Sequence, residues 1–122
     1  MTGVMKPLFG TPLNLGHPLA QGLVGSWLLN EGSGNKAYDS SGQVNHGTLV
    51  NISNPPTSTS GWAAGAYGGG LLFNGVNNRI DIGEPAILDY FTAFTLVGFF
   101  TINNIGIDQS ILSKYSSFQF EG

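Results

Sequence analysis

"GSWLLNEGSGNKAYDSSGQVNHGTL", residues Gly25 to Leu49, is the stretch whose reading decides the fold. Trp27 and Leu29 alternate with Ser26 and Leu28, the period of two that a strand shows when at least one face is buried. The spacing predicts a strand that stops at Asn30. From Glu31 to Gly47 the chain sets Gly32, Gly34 and Gly42 among acids, amides and hydroxyls. Such a backbone turns tightly and has almost nothing apolar to bury, so a shaped surface loop is expected. His46 to Val50 then resumes strand-like residues.

Working outward, residues 1–21 contain Pro7, Pro12 and Pro18 and no sustained period, which predicts an extended N-terminal arm with a short pairing segment near Pro12 to Leu15. Leu13, Leu15 and Leu19 are expected to lie over the domain surface, with docking on a neighbouring subunit as the alternative. After Val50, "NISNPPTSTSGWAAGAYGGG" reads as a loop, because Pro55-Pro56 fix extended backbone among serines, threonines and glycines. Leu71 to Phe73 reads as a strand ended by the turn pair Asn74-Gly75. Ile80 and Ile82 alternate with Arg79 and Asp81, so a hairpin of Leu71–Asn74 with Arg79–Ile82 is the expected local pairing. Pro85 to Tyr90 suits one helical turn. Phe94 to Thr101, apolar on both faces, is expected as a central strand, Gln109 to Lys114 as another, and Phe118 to Phe120 as the start of a further one.

Composition sets outer limits. The chain has 122 residues, enough for one domain with a modest core. Nineteen glycines and only 9% charged residues suit an all-β domain rich in turns. A net charge of -3 with four basic residues leaves no basic patch, which argues against nucleic acid and anionic membrane as partners. No cysteine is present, so disulfides and thiol chemistry are excluded. No run has signal-peptide or membrane-spanning character. If Met1 is the natural start, a cytoplasmic or virion-assembled protein is favoured over one exported by the general secretory route.

Four blocks resemble a known family in their order. "WLLNEGSG" at Trp27, "AYDSSGQVNHGTL" at Ala37, "GGLLFNGVNNRIDIG" at Gly69 and "FTLVGFF" at Phe94 are similar to the laminin-G-like branch of the concanavalin A-like lectin/glucanase superfamily, spanning Leu23 to Lys114. The lead-in "HPLAQGLVGSWLLNEGSG" also resembles laminin-G-like proteins encoded by bacteriophages. The resemblance implies an all-β fold: an antiparallel β-sandwich of concanavalin A-like jelly-roll type over residues 22–122, preceded by the 1–21 arm. Trp27, Phe73, Ile80 and Phe94 would wedge its layers apart. Two departures stand out. Phe99 occupies a position where the family usually has tryptophan, and the family's closing "I-D-[DE]-V-[RK]-I-Y" block is absent. Three explanations are open: a truncated chain, strands supplied by another chain, or a shortened sandwich that closes by itself.

Chemistry is sparse. Calcium takes six to eight oxygens, and the loop offers Asp39, Asn45 and Glu31 with glycine-rich carbonyls; similar domains bind Ca²⁺ at the positions of Asp39 and Asn45, completed by a C-terminal acid that is missing here. The competing reading is that Asp39 caps its own turn through Ser40-Ser41-Gly42. His46 has no paired His or Cys for zinc and suits a loop hydrogen bond. The paired acids of related glucanases, Glu-x-Asp-x-x-Glu, are absent, so no enzyme is expected. Trp62, Tyr67, Tyr90 and Tyr115 are the candidate aromatic platforms for a glycan ligand, each competing with a packing role, and Trp62 most of all. The expected function is a non-enzymatic adhesion or decoration module on a virion or extracellular surface. The alternative is a structural assembly protein, homo-oligomeric or joined to other structural chains through its strands or arm.

Overall fold

The computed structural model describes residues 5–89, 92–104 and 106–114. Within them the chain is strand-rich with almost no helix, and its five strands form two small antiparallel sheets. In chain order they are β1 (Lys36–Ala37), β2 (Gly47–Val50), β3 (Gly61–Gly65), β4 (Gly68–Leu72) and β5 (Arg79–Asp81). The first sheet has the order β1-β2-β5, and the second is the β3-β4 hairpin.

β2 is the centre of the first sheet because both of its edges are paired. Thr48 faces Lys36 on one side and Asp81 on the other, and Leu49 faces Ile80. Its burial alternates, with Gly47 and Leu49 buried and Thr48 and Val50 half-buried, as a pleated strand with one covered face requires. Gly47 has no room for a side chain: a β-carbon there would strike Ile80 on the adjoining strand. Position 47 must therefore stay bare for β2 and β5 to pair.

The segment expected as one long loop after Val50 instead contains the second sheet. Trp62 pairs with Leu71, and the hairpin turns at Ala66-Tyr67 between the paired Gly65 and Gly68. Glycine and alanine have low strand preference, which hides the hairpin from a pattern reading. Here their small size admits close backbone approach, and Gly69 lies beside the Asn30 backbone. Gly61 opens the hairpin at φ +119, with Pro56 and the Ser53 carbonyl crowding the place of any β-carbon.

The two sheets share one core. Ala37, Leu49 and Trp62 are buried, and Trp27, Leu29, Ile52, Leu71 and Ile80 pack against them. The Trp62 indole N–H donates to the Gly34 carbonyl at 2.9 Å, so burying the ring leaves no orphaned donor.

Several expectations are corrected. Ser26 to Leu29 is not a regular strand: Trp27 makes a single bridge to Asp39, and Leu29 sits at φ 55, which breaks the extended run. The Leu71–Asn74 hairpin with Arg79–Ile82 does not form. Asn74 Oδ1 accepts from the backbone N–H groups of Val76, Asn77 and Asn78 at 2.9, 3.1 and 3.2 Å, and Asn78 Oδ1 accepts the Asn74 N–H at 2.9 Å. These bonds build a wide turn that sends β4 back to β3 and β5 on to β2. Pro85 is followed by a 3-10 turn at Ala86–Leu88, in line with expectation.

Phe94 to Thr101 and Gln109 to Lys114 are not strands, and Phe94, Val97 and Phe99 are 65%, 83% and 81% exposed. An apolar run becomes a strand only where a neighbouring strand shares its backbone hydrogen bonds, and neither sheet of the described residues includes this segment. Of the four expected wedges, Trp27 and Ile80 pack on the core, whereas Phe73 and Phe94 are exposed. The Phe118–Phe120 strand lies outside the described residues. Pro12 to Leu15 pairs as a strand with nothing among the described residues, and Leu13, Leu15 and Leu19 are exposed. The arm lies on its own domain: the Lys6 backbone N–H donates to the Tyr67 carbonyl and its ammonium to Gly69, both at 2.7 Å, and Asn30 donates to the Pro7 carbonyl.

Candidate functional site: the Asp39 knot and its cleft

The loop from Glu31 to Gly47 is organised by one carboxylate. β1 places Ala37 inward with no exposed surface, so by alternation Tyr38 points out and Asp39 back in. Asp39 Oδ1 accepts the backbone N–H groups of Ser26 at 2.9 Å and Ser41 at 2.8 Å, and Oδ2 accepts that of Asn45 at 3.0 Å. The Ser41 contact is the Asx-type cap read from the sequence; the other two tie the segment before the loop and its far limb to the same side chain. Burial alone would push the Asp39 carboxyl up, but hydrogen bonds from the backbones of Ser26, Ser41 and Asn45 and from the Ser41 hydroxyl outweigh it and hold the group below the ordinary range.

Neighbouring bonds close the knot. The Asn45 side chain donates to the Val24 carbonyl at 3.0 Å, the Trp27 indole donates to the Asn45 carbonyl at 2.9 Å, and the Ser40 N–H and hydroxyl both donate to the Ser26 carbonyl. His46 Nδ1 accepts the Asp39 N–H at 2.9 Å, a loop hydrogen bond, which fixes its neutral tautomer with the proton on Nε2. The expected shaped surface loop thus buries Asp39 and Ser41 and is cross-linked to residues 24–27.

Glu31, Asp39 and Asn45 adjoin one another but do not form an oxygen cage. Asp39 Oδ1 has both lone pairs directed at N–H groups, Glu31 Oε1 accepts the Tyr38 N–H at 2.9 Å, and the Asn45 carbonyl holds the Trp27 indole. N–H dipoles pointing at the Asp39 carboxylate disfavour a cation placed at that group. Among the described residues no group of three or more His, Asp or Glu side chains is spaced for a metal.

Of the aromatic candidates, Trp62 is 6% exposed and belongs to the core, so it is not a platform. Tyr67 is partly exposed at the hairpin turn, its ring 5.1 Å from that of Phe99. Tyr90 and Tyr115 lie outside the described residues. The structure instead assembles a cluster the sequence reading passed over: Phe9 and Tyr38 rings 5.6 Å apart, and Tyr38 edge-on to His46 at 5.2 Å. It borders a cleft of about 270 Å³ between the arm and the loop, which Glu31, Asn30 and Ser40 also line. A signal for Tyr38 existed, since a residue between two inward neighbours on a strand faces out; the partnership with Phe9, twenty-nine positions earlier, had none.

Comparison with protein-family models, with curated proteins and with solved structures finds no match for this chain.

Proposed function

We propose that the chain is a non-enzymatic adhesion or decoration module, an antiparallel β-sandwich of laminin-G-like, concanavalin A-like type displayed on a virion or other extracellular surface. Its 31–47 loop and the adjoining cleft form the contact face, with surface glycans as the ligand class. The observation that carries this reading is the Asp39 knot: three backbone N–H groups on one buried carboxylate hold a glycine-rich loop in a single shape, and a preformed loop binds without the cost of ordering it. Two antiparallel sheets meeting in one core support the sandwich architecture. The sparse charge fits recognition by amides, hydroxyls and rings rather than by ion pairing. A panel of immobilised neutral glycans tests it. Saturable binding that is lost on substituting Tyr38 supports the reading, and no binding across the panel, with no adherence to cell surfaces, refutes it.

A second reading has its own support. The exposed apolar side chains from Phe94 to Leu112 suit a structural assembly protein, homo-oligomeric or joined to other structural chains. Sedimentation across a concentration series tests this: assembly requires complexes that grow with concentration, and a monomer throughout rules out self-assembly.

A further inference from the structure

We propose that the cleft between the arm and the 31–46 loop binds a small organic ammonium group, with Glu31 as the recognising carboxylate and Tyr38 as the aromatic platform. This rests on the reading of the loop as a contact face, but assigns the ligand chemistry independently. The argument begins from hydrogen-bond capacity. Among the polar side chains lining the cleft, Asn30 has an amide hydrogen committed to the Pro7 carbonyl, Ser40 donates to the Ser26 carbonyl, and Asp39 has its carboxylate on backbone N–H groups. Glu31 differs. Its Oε1 accepts the Tyr38 N–H, while its Oε2 is shut from water and has no hydrogen-bond partner among the described residues.

An unmatched carboxylate oxygen is an unfavourable feature that a donor from outside relieves. The cleft lining includes no lysine or arginine. Lys6 is near enough to feel the Glu31 charge, yet its ammonium is turned to the Gly69 carbonyl at 2.7 Å. The other donors lining the cleft, the Thr11 and Tyr38 hydroxyls and the His46 Nε2–H, make no hydrogen bond to that oxygen among the described residues, so it is open to a ligand that brings its own N–H. The Tyr38 and Phe9 rings, 5.6 Å apart, line the same cleft as Glu31, and aromatic faces attract a cation while their area suits methyl or methylene groups. A substituted ammonium bearing at least one N–H matches both requirements. The soft terminal torsion of Glu31 lets the carboxylate swing to meet it.

The test titrates the full chain with trimethylammonium chloride, with sodium chloride and methyl glucoside as comparators, following backbone amide shifts by NMR. The proposal expects saturable shifts at the Tyr38 and His46 amides with trimethylammonium alone. Affinity should fall about tenfold in Glu31→Gln, which keeps the acceptor for the Tyr38 N–H, and about tenfold in Tyr38→Ala. An unshifted Trp62 indole signal certifies that each variant is folded. Trimethylammonium shifts no larger than those with sodium chloride, or equal affinity in Glu31→Gln, overturn the proposal. Saturable binding of methyl glucoside that ignores Glu31→Gln also overturns it, while leaving the glycan reading standing.

Discussion

Replacing Asp39 is the most informative perturbation of this molecule. A hydrogen bond to a charged group contributes about 1.5–3 kcal/mol, and the three on Asp39 share one anchor and do not simply add. Asp39→Ala strands the Ser26, Ser41 and Asn45 N–H groups without their acceptor, and we expect a loss of about 3–4 kcal/mol. Asp39→Asn keeps the shape, but its amide must face at least one N–H group as donor against donor, for a loss of about 2 kcal/mol. Against a typical total of about 5–15 kcal/mol, either change is large. The assay is urea unfolding followed by tryptophan fluorescence, with an unchanged slope showing that the same surface is exposed. The pH dependence supplies the sign. Because the folded carboxyl titrates below its unfolded value, its contribution is fully present above about pH 4 and is lost as pH falls through the folded value. Asp39→Asn should remove that acid-limb slope. A cost under about 0.5 kcal/mol, the level of an ordinary surface change, or an acid limb identical to the parent's, would refute the reasoning.

Other outcomes follow from the same structure. Trp62→Ala should cost about 3–5 kcal/mol in the same unfolding assay, whereas Tyr67→Ala, at an exposed turn, should stay under about 1 kcal/mol. Gly61→Ala must accept both φ +119 and the crowding by Pro56 and Ser53; a loss of about 1–3 kcal/mol is expected from its denaturation midpoint. Adding a chelator should leave the thermal midpoint unchanged, because three backbone N–H groups already occupy the Asp39 carboxylate; a fall in the midpoint would restore calcium to the loop. The exposed side chains of Leu96, Val97, Phe99, Phe100 and Ile102 should bind a hydrophobic dye, and Val97→Ser with Phe99→Ser should lower that fluorescence.

How much was legible in the sequence depended on how local the cause was. β2 could be read because Thr48, Leu49 and Val50 carry strand preference and alternation in a few residues. The Asp39 cap was legible for the same reason, since Ser41 is two positions away. The Ser26 and Asn45 contacts were hidden, because they depend on where a loop returns. The β3-β4 hairpin was masked by its composition: glycine and alanine signal a loop unless the partner strand is known. At Asn74 the turn residues were recognised but their consequence was misjudged, because amide bonds to three successive N–H groups make a turn too wide for a hairpin. In the 94–101 run, hydrophobicity signalled a strand and could not say whether an edge was there to receive it.

The core that Ala37, Leu49 and Trp62 hold in common has a kinetic corollary. Neither sheet retains a covered face once the other departs, so the amides of the glycine hairpin and of the central strand should become exchangeable with deuterium in the same opening event. Peeling away one sheet would uncover the core of the other, which makes the two ladders one cooperative unit.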